Sequence, residues 1–270
     1  MSSAADTKQI TVQEWNVGGV PLLAVGAKNE LFTTGIFFLH GRLESKSTHL
    51  EFAKQMQAKL STSTNNIMIF LIDHRNHGDR IVNKEANEGW KTNPNHATDM
   101  WAMIYGTAFD LNFLIQVLPL WVGSPIKQWI ACGFSLGGHA VLMAMAHVDE
   151  IKIGVSIAGC GDYKKMMLNR ASRMNIPVPP CDDTFISDQL LALIAINDPV
   201  NCIDSFKGKK ILVIHGTEDR IVPIMDNNEF ISNLAEKNDD TVELYKELGG
   251  GHVLSDQMKE KSISWIELNL

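Results

Sequence analysis

The sequence predicts an α/β chain: a mostly parallel, twisted sheet with helices on both faces and a short helical insert, or cap, before the penultimate strand. Short β-branched runs alternate with longer amphipathic stretches, the pattern of a sheet built from strand–helix crossovers. No internal repeat or low-complexity tract breaks that alternation. The 270 residues are 45% hydrophobic and 20% charged, which is enough apolar material for one large core and excludes a disordered or collagen-like chain.

Taken in order, Ile10–Trp15 and Leu22–Val25 flank Asn16-Val17-Gly18-Gly19-Val20-Pro21 and read as a hairpin. Buried strands are expected at Ile36–Leu39, Ile67–Ile72, Gln128–Cys132, Ile151–Ala158 and Lys210–His215, with a more polar late strand at Val242–Leu248. Helices are expected near Thr48–Leu60, Thr98–Val117, Leu136–His147, Asp226–Glu236 and Asp256–Glu267. Two segments interrupt the rhythm. Asn83–Ala97 is Asn-rich without a clear period and reads as a surface loop. Residues 162–198 carry helical pieces broken by Pro177-Val178-Pro179-Pro180, where neither helix nor central strand continues. This stretch is too short for a core of its own, so the expectation is one domain over residues 1–270 with 162–198 packed over the site.

Charge narrows the partners. With 24 Lys+Arg against 31 Asp+Glu, net −7, the chain offers no basic stripe for nucleic acid or an acidic membrane. A neutral, partly apolar small molecule is the better expectation. The start, Met1-Ser2-Ser3-Ala4-Ala5-Asp6, lacks the basic and apolar regions of a secretory signal, and no uninterrupted apolar run is long enough for a span. A soluble, cytoplasmic protein is therefore expected, without stable membrane association. Cys132, Cys160, Cys181 and Cys202 form no CxxC pair and read as reduced thiols acting as buried small hydrophobes.

The chemistry concentrates at Gly133-Phe134-Ser135-Leu136-Gly137, a G-x-S-x-G stretch between an apolar strand and an Ala/Leu/Met-rich helix. A serine on that sharp turn projects its hydroxyl as a nucleophile, and the glycines remove side chains that would collide with strand and helix. The following helix aims its first amides, beginning with Leu136 N–H, at a developing oxyanion. A serine nucleophile needs a base, and the base needs a carboxylate to hold its tautomer. Asp219 lies beyond the strand Ile211–His215, with Glu218 and Asp162 as competing carboxylates. His252 follows Gly249-Gly250-Gly251 after the last strand and is the candidate base. The loop His40-Gly41-Arg42-Leu43 offers the second oxyanion donor at the Arg42 N–H, or failing that Leu43, with His40 a structural histidine. Asp73, His74, His77 and Asp79 are interleaved with Arg75 and Arg80, so a hydrogen-bonded loop is expected there rather than a metal site. Trp90, Trp101 and Tyr105, with Met103 and the 166–196 stretch, are candidates for lining an acyl or alcohol pocket.

The His40-Gly41 loop, the Asp73-His74-Arg75-Asn76-His77-Gly78 segment, the Gly133–Gly138 elbow, His215-Gly216-Thr217-Glu218-Asp219 with Val222-Pro223, and Gly251-His252 together resemble the α/β-hydrolase superfamily. The D-x-R-x-H-G segment is similar to that of small serine carboxylesterases and of prolyl-oligopeptidase-type and dienelactone-hydrolase-like domains. The chain order Ser135, Asp219, His252 is the one that fold uses. The resemblance implies hydrolysis of an ester, thioester or amide through an acyl-enzyme, without a cofactor. A small or medium ester is the first expectation, and acyl transfer with the same triad or a non-catalytic binding module are the alternatives.

Overall fold

The computed structural model describes residues 9–27, 31–62, 65–237 and 241–270. Eight strands form one sheet in the order β1-β2-β4-β3-β5-β6-β7-β8. The hairpin β1 (Ile10–Val17) and β2 (Val20–Ala27) joins antiparallel to β4. The strands β3 (Thr34–Leu39), β4 (Ile67–Ile72), β5 (Gln128–Phe134), β6 (Ile151–Ile157), β7 (Lys210–Gly216) and β8 (Val242–Glu247) are mutually parallel.

The near-continuous apolar strands are explained by cover on both faces. Ile36 and Phe38 of β3 and Leu212 and Ile214 of β7 point into one core with α1 (Leu50–Leu60) and α7 (Asp256–Asn269). Their neighbours Phe37, Leu39, Ile211 and Val213 point into the other, beneath α2 (His96–Val122), α3 (Leu136–His147) and α6 (Asn228–Lys237). The insert is a helix pair, α4 (Tyr163–Arg173) and α5 (Asp188–Asn197). Its ends are tied together: the Asp198 carboxylate accepts the Tyr163 and Lys164 amides at 3.1 Å each.

β4 and α3 fall where the sequence predicts them, and α2 contains the predicted Thr98–Val117 but is longer at both ends. It starts two residues before Thr98 and runs five past Val117, carrying Pro119 in its last turn. Only three helical residues follow that proline, and Gly123 in the left-handed region ends the helix by donating to the Pro119 carbonyl. An 18-residue window of α2 reaches mean hydropathy 1.3, long and apolar enough to cross a membrane, yet 56% of it is buried against the rest of the chain. Cys132 and Cys160 are buried as expected, whereas Cys181 is exposed and Cys202 half-buried. These two lie in or just after the insert, outside the strands and helices that build the core.

The strand order creates the site. β3 lies between β4 and β5, and the chain crosses back over it after β4, so the loops leaving β3 and β5 diverge at their carboxyl ends and open a crevice. Leu39 pairs with Gly133, which sets the 40–43 loop beside Phe134 and Ser135.

Candidate active site

Ser135 holds φ 55° and ψ −112°, a conformation a side chain adopts only under strain. Its surroundings enforce it. A Cβ on Gly137 would lie 2.1 Å from the Leu39 carbonyl oxygen, and one on Gly133 would lie 2.5 Å from that of Gly137. The turn therefore closes only with glycine on either side. The Ser135 amide donates to Ile157 O at 2.8 Å, and the Gly137 amide donates to His40 O at 3.0 Å, pinning the elbow to β6 and to the β3 loop.

Ser135, Asp219 and His252 come together from the ends of β5, β7 and β8. Ser135 Oγ lies 2.8 Å from His252 Nε2, and His252 Nδ1 lies 2.7 Å from Asp219 Oδ2. The other carboxylate oxygen, Asp219 Oδ1, accepts the Ile221 and Val222 amides at 2.8 and 2.9 Å. Burial alone would raise the Asp219 carboxyl, but the His252 hydrogen bond and the two amides outweigh it and hold the group below the usual carboxylate range. The Nδ1–H of His252 thus faces a carboxylate, which leaves Nε2 to accept from the serine hydroxyl. The two competing carboxylates are elsewhere: Asp162 caps α4 by accepting the Lys165 amide at 2.9 Å, and Glu218 sits on an exposed turn.

Around the β3 loop, the Asp73–Gly78 segment forms hydrogen bonds and ion pairs within the fold. Asp73 is buried and accepts the Lys46 and Asp79 amides at 2.7 and 3.0 Å as well as Lys46 Nζ at 3.2 Å. Lys46 Nζ also contacts Asp79 and lies 3.3 Å from Glu14. Arg75 grips Asp110 with two hydrogen bonds, and Arg80 shares that carboxylate at 2.7 Å. His40 lies inside this network, its Nδ1–H donating to Gly41 O at 2.7 Å, and burial pushes its pKa down to about 4.

Ser135 opens into a cavity of about 290 Å³. Arg42, Leu136 and Trp90 line it. Trp101 and Tyr105 do not, which corrects the sequence expectation. They project from one face of α2 onto the insert: Trp101 stacks on Tyr105 at 5.7 Å and packs on Tyr163, while Tyr105 Oη donates to Asn197 Oδ1 at 2.9 Å. Both border a separate cavity between α2 and α5. Met103 is buried in the core beneath α2. From α2 the cavity is lined instead by His96 and Met100, and the insert contributes Arg170, Arg173 and Met174. Arg170, Arg173 and Met174 fall within the 166–196 stretch that the sequence offers as lining. The sequence does not single out His96 and Met100, because helical periodicity separates a buried face from an exposed one but does not say which cavity that face borders.

A model of the prolyl oligopeptidase family matches residues 126–267, more than half of the chain. The chain belongs to the prolyl oligopeptidase family. In this family member the matched region spans Ser135, Asp219 and His252 and leaves the β3 loop outside. The chain is also similar to a putative esterase, YitV, of Bacillus subtilis, 21% identical over 97% of this chain and all of that one. Among solved structures, TT1662 of Thermus thermophilus superposes with TM-score 0.74 at 18% identity, covering 96% of this chain and 98% of its own. The Pyrococcus furiosus esterase Pf2001 superposes with TM-score 0.61 at 20% identity, covering 97% and 91%. These superpositions show that the prolyl oligopeptidase family member has the α/β-hydrolase fold.

Proposed function

We propose that the protein is a serine hydrolase that cleaves small to medium carboxylic esters through an acyl-enzyme. The observation that carries this reading is the unbroken chain from Ser135 Oγ through His252 to Asp219, at 2.8 and 2.7 Å, with the serine on a strained turn at the mouth of a cavity. His252 Nε2 takes the serine proton as Oγ attacks the acyl carbonyl, and Asp219 stabilises the imidazolium that forms. The Leu136 and Arg42 amides receive the oxyanion, and loss of one such donor costs about 10²–10³ in turnover. The imidazolium returns its proton to the departing alcohol. A water then gives its proton to His252 and attacks the acyl-serine; the acyl–Oγ bond breaks, the imidazolium returns the proton to Ser135 Oγ, and the acid leaves. The esterase names of the relatives support ester rather than peptide bonds as the substrate, and a cavity of about 290 Å³ suits a small acyl group. We place the reaction in the cytoplasm.

The test is turnover of p-nitrophenyl butyrate and labelling by a fluorophosphonate, both on wild type and on Ser135→Ala. Wild type turns over and labels, and Ser135→Ala does neither while keeping its circular dichroism spectrum. Labelling that survives in Ser135→Ala would overturn the nucleophile.

A further inference from the structure

The chain has six arginines, and they are not scattered. Arg75 and Arg80 share the Asp110 carboxylate. The other four, Arg42, Arg170, Arg173 and Arg220, all line the cavity that holds Ser135. Arg173 has a counter-charge, Asp226 at 3.7 Å, and Arg220 is exposed to solvent. Arg42 and Arg170 are different. Both are half-buried, and among the described residues neither has a carboxylate within ion-pairing distance. Arg42 donates to the Asn87 carbonyl, and Arg170 donates to Ile221 O at 3.1 Å and otherwise faces the sulfurs of Met166 and Met167 at 3.9 and 3.8 Å. A guanidinium has five N–H donors; Arg42 engages one of them, and Arg170 engages one on oxygen and two on sulfur, which leaves donors on both for a ligand in the cavity they line. Trp90 adds another: it is 4% exposed, lines the same cavity, and its Nε1–H has no partner.

Two half-buried cations without counter-ions are costly in a folded chain unless something supplies the charge. Burial drives Arg170 below its ordinary value, and the neighbouring Arg42 and Arg173 push in the same direction. Burial first, then Arg170 and Arg42, bring His96 on the same wall down to about 4, so the imidazole is neutral and the positive charge rests on the guanidiniums. Glu88 and Asp226 act on the pair only from beyond contact.

We infer that the substrate is an ester bearing a second, anionic group, a carboxylate or phosphate, which Arg170 and Arg42 bind with Trp90 Nε1–H beside Ser135. This rests on the serine-hydrolase reading and names its substrate class. It also reverses the neutral substrate that the net charge of −7 suggests, because whole-chain charge carries no information about which sign lines one cavity.

The test compares matched esters: mono-p-nitrophenyl glutarate against p-nitrophenyl pentanoate for charge on the acyl side, and p-acetoxyphenylacetate against phenyl acetate for charge on the alcohol side. In at least one pair, kcat/KM favours the anionic ester by about tenfold or more, and the ratio collapses toward one in Arg170→Met and partly in Arg170→Lys, which keeps the charge without the fork. Glutarate or inorganic phosphate competes with fluorophosphonate labelling, and the stronger competitor identifies the anion. If Arg170→Met does not fold, salt decides: the wild-type preference shrinks as sodium chloride rises, and a preference indifferent to salt overturns the inference. Labelling of Ser135 with no preference in either pair overturns the inference alone. Neither labelling nor turnover of any ester overturns the hydrolase reading and the inference with it.

Discussion

His40 and His74 clasp each other from adjacent strand ends: the His74 amide donates to His40 Nε2 at 3.2 Å, and His74 Nε2–H donates back to the His40 carbonyl at 3.0 Å. Burial, with His40 and His77 adding to it, keeps His74 well below 6.5 and neutral. Its Nδ1 lies 2.9 Å from Thr107 Oγ1, whose single hydroxyl proton also faces the Met103 carbonyl at 2.8 Å. The same His40 carbonyl receives the Gly137 amide. One carbonyl oxygen thus joins the β3 loop, the β4 loop and the nucleophile's helix.

His74→Ala removes one of the two donors to that carbonyl and opens a cavity. It should lower stability by about 1–3 kcal/mol. Because the Arg42 amide rides on the released loop, kcat for an activated ester should fall about tenfold or more while fluorophosphonate still labels Ser135. Thermal melts and steady-state kinetics on one preparation check both effects; unchanged kcat at a lowered melting temperature would separate the clasp from the oxyanion loop.

Asp219→Asn keeps an oxygen for the Ile221 and Val222 amides but presents an NH₂ or a neutral oxygen to His252 Nδ1. The imidazole then loses the carboxylate that stabilises its cation and favours the Nδ1–H tautomer. Turnover should drop by about 10⁴ with the fold intact. Activity within tenfold of wild type would remove Asp219 from the mechanism.

Trp90 and Trp101 separate pocket from scaffold. Trp90→Ala should raise KM and weaken any discrimination between anionic and neutral esters. Trp101→Ala should cost about 3–5 kcal/mol of stability, since it empties a buried site between α2 and the insert, without changing the substrate preference. Denaturant melts paired with kinetics on two esters distinguish the two outcomes.

Several buried histidines set a pH window for stability. Burial holds His40, His96 and His215 down to about 4 and His139 to about 3, although each ring also has an attractive or hydrogen-bonded neighbour. As pH falls below 6.5 the unfolded chain takes up protons at these rings while the folded chain does not, so stability is lost from 6.5 down to about 4. A site held at about 4 contributes up to roughly 3 kcal/mol over that window. Asp198 works the other way: burial raises it to about 7, so between 3.8 and 7 the folded form retains a proton the unfolded form has released, and stability falls with rising pH. The four histidines outnumber it, and urea midpoints should rise from pH 4 to 6.5. A flat profile would mean that the rings take up protons in the folded chain over the same pH range as in the unfolded one.

The fold was legible because its signals are local and strong. Ile67–Ile72 and Leu136–His147 end where apolar runs meet polar or glycine residues, and the elbow's glycines announce a turn that no side chain tolerates. The three residues of the hydrogen-bonded chain from Ser135 to Asp219 were legible for a related reason: each follows a strand, and parallel strands deliver their carboxyl ends to one edge. The lining was less so. Trp101 and Met100 are consecutive on α2, yet Trp101 packs on Tyr163 of the insert while Met100 lines the cavity that holds Ser135. Arg170 is one of many cations in the sequence until α4 is seen lying across the cavity without a carboxylate beside that guanidinium.

β8 is an edge strand paired only with β7, and most of its residues are incompletely buried. The loop carrying His252 hangs from its end, whereas Ser135 follows the buried strand β5. The nucleophile and its base are therefore anchored in regions of unequal local stability. Fraying at that margin uncouples the proton acceptor while the central strands remain paired. Inactivation in mild denaturant thus precedes loss of helix signal, and amide exchange is faster at Tyr245 than at Ala131.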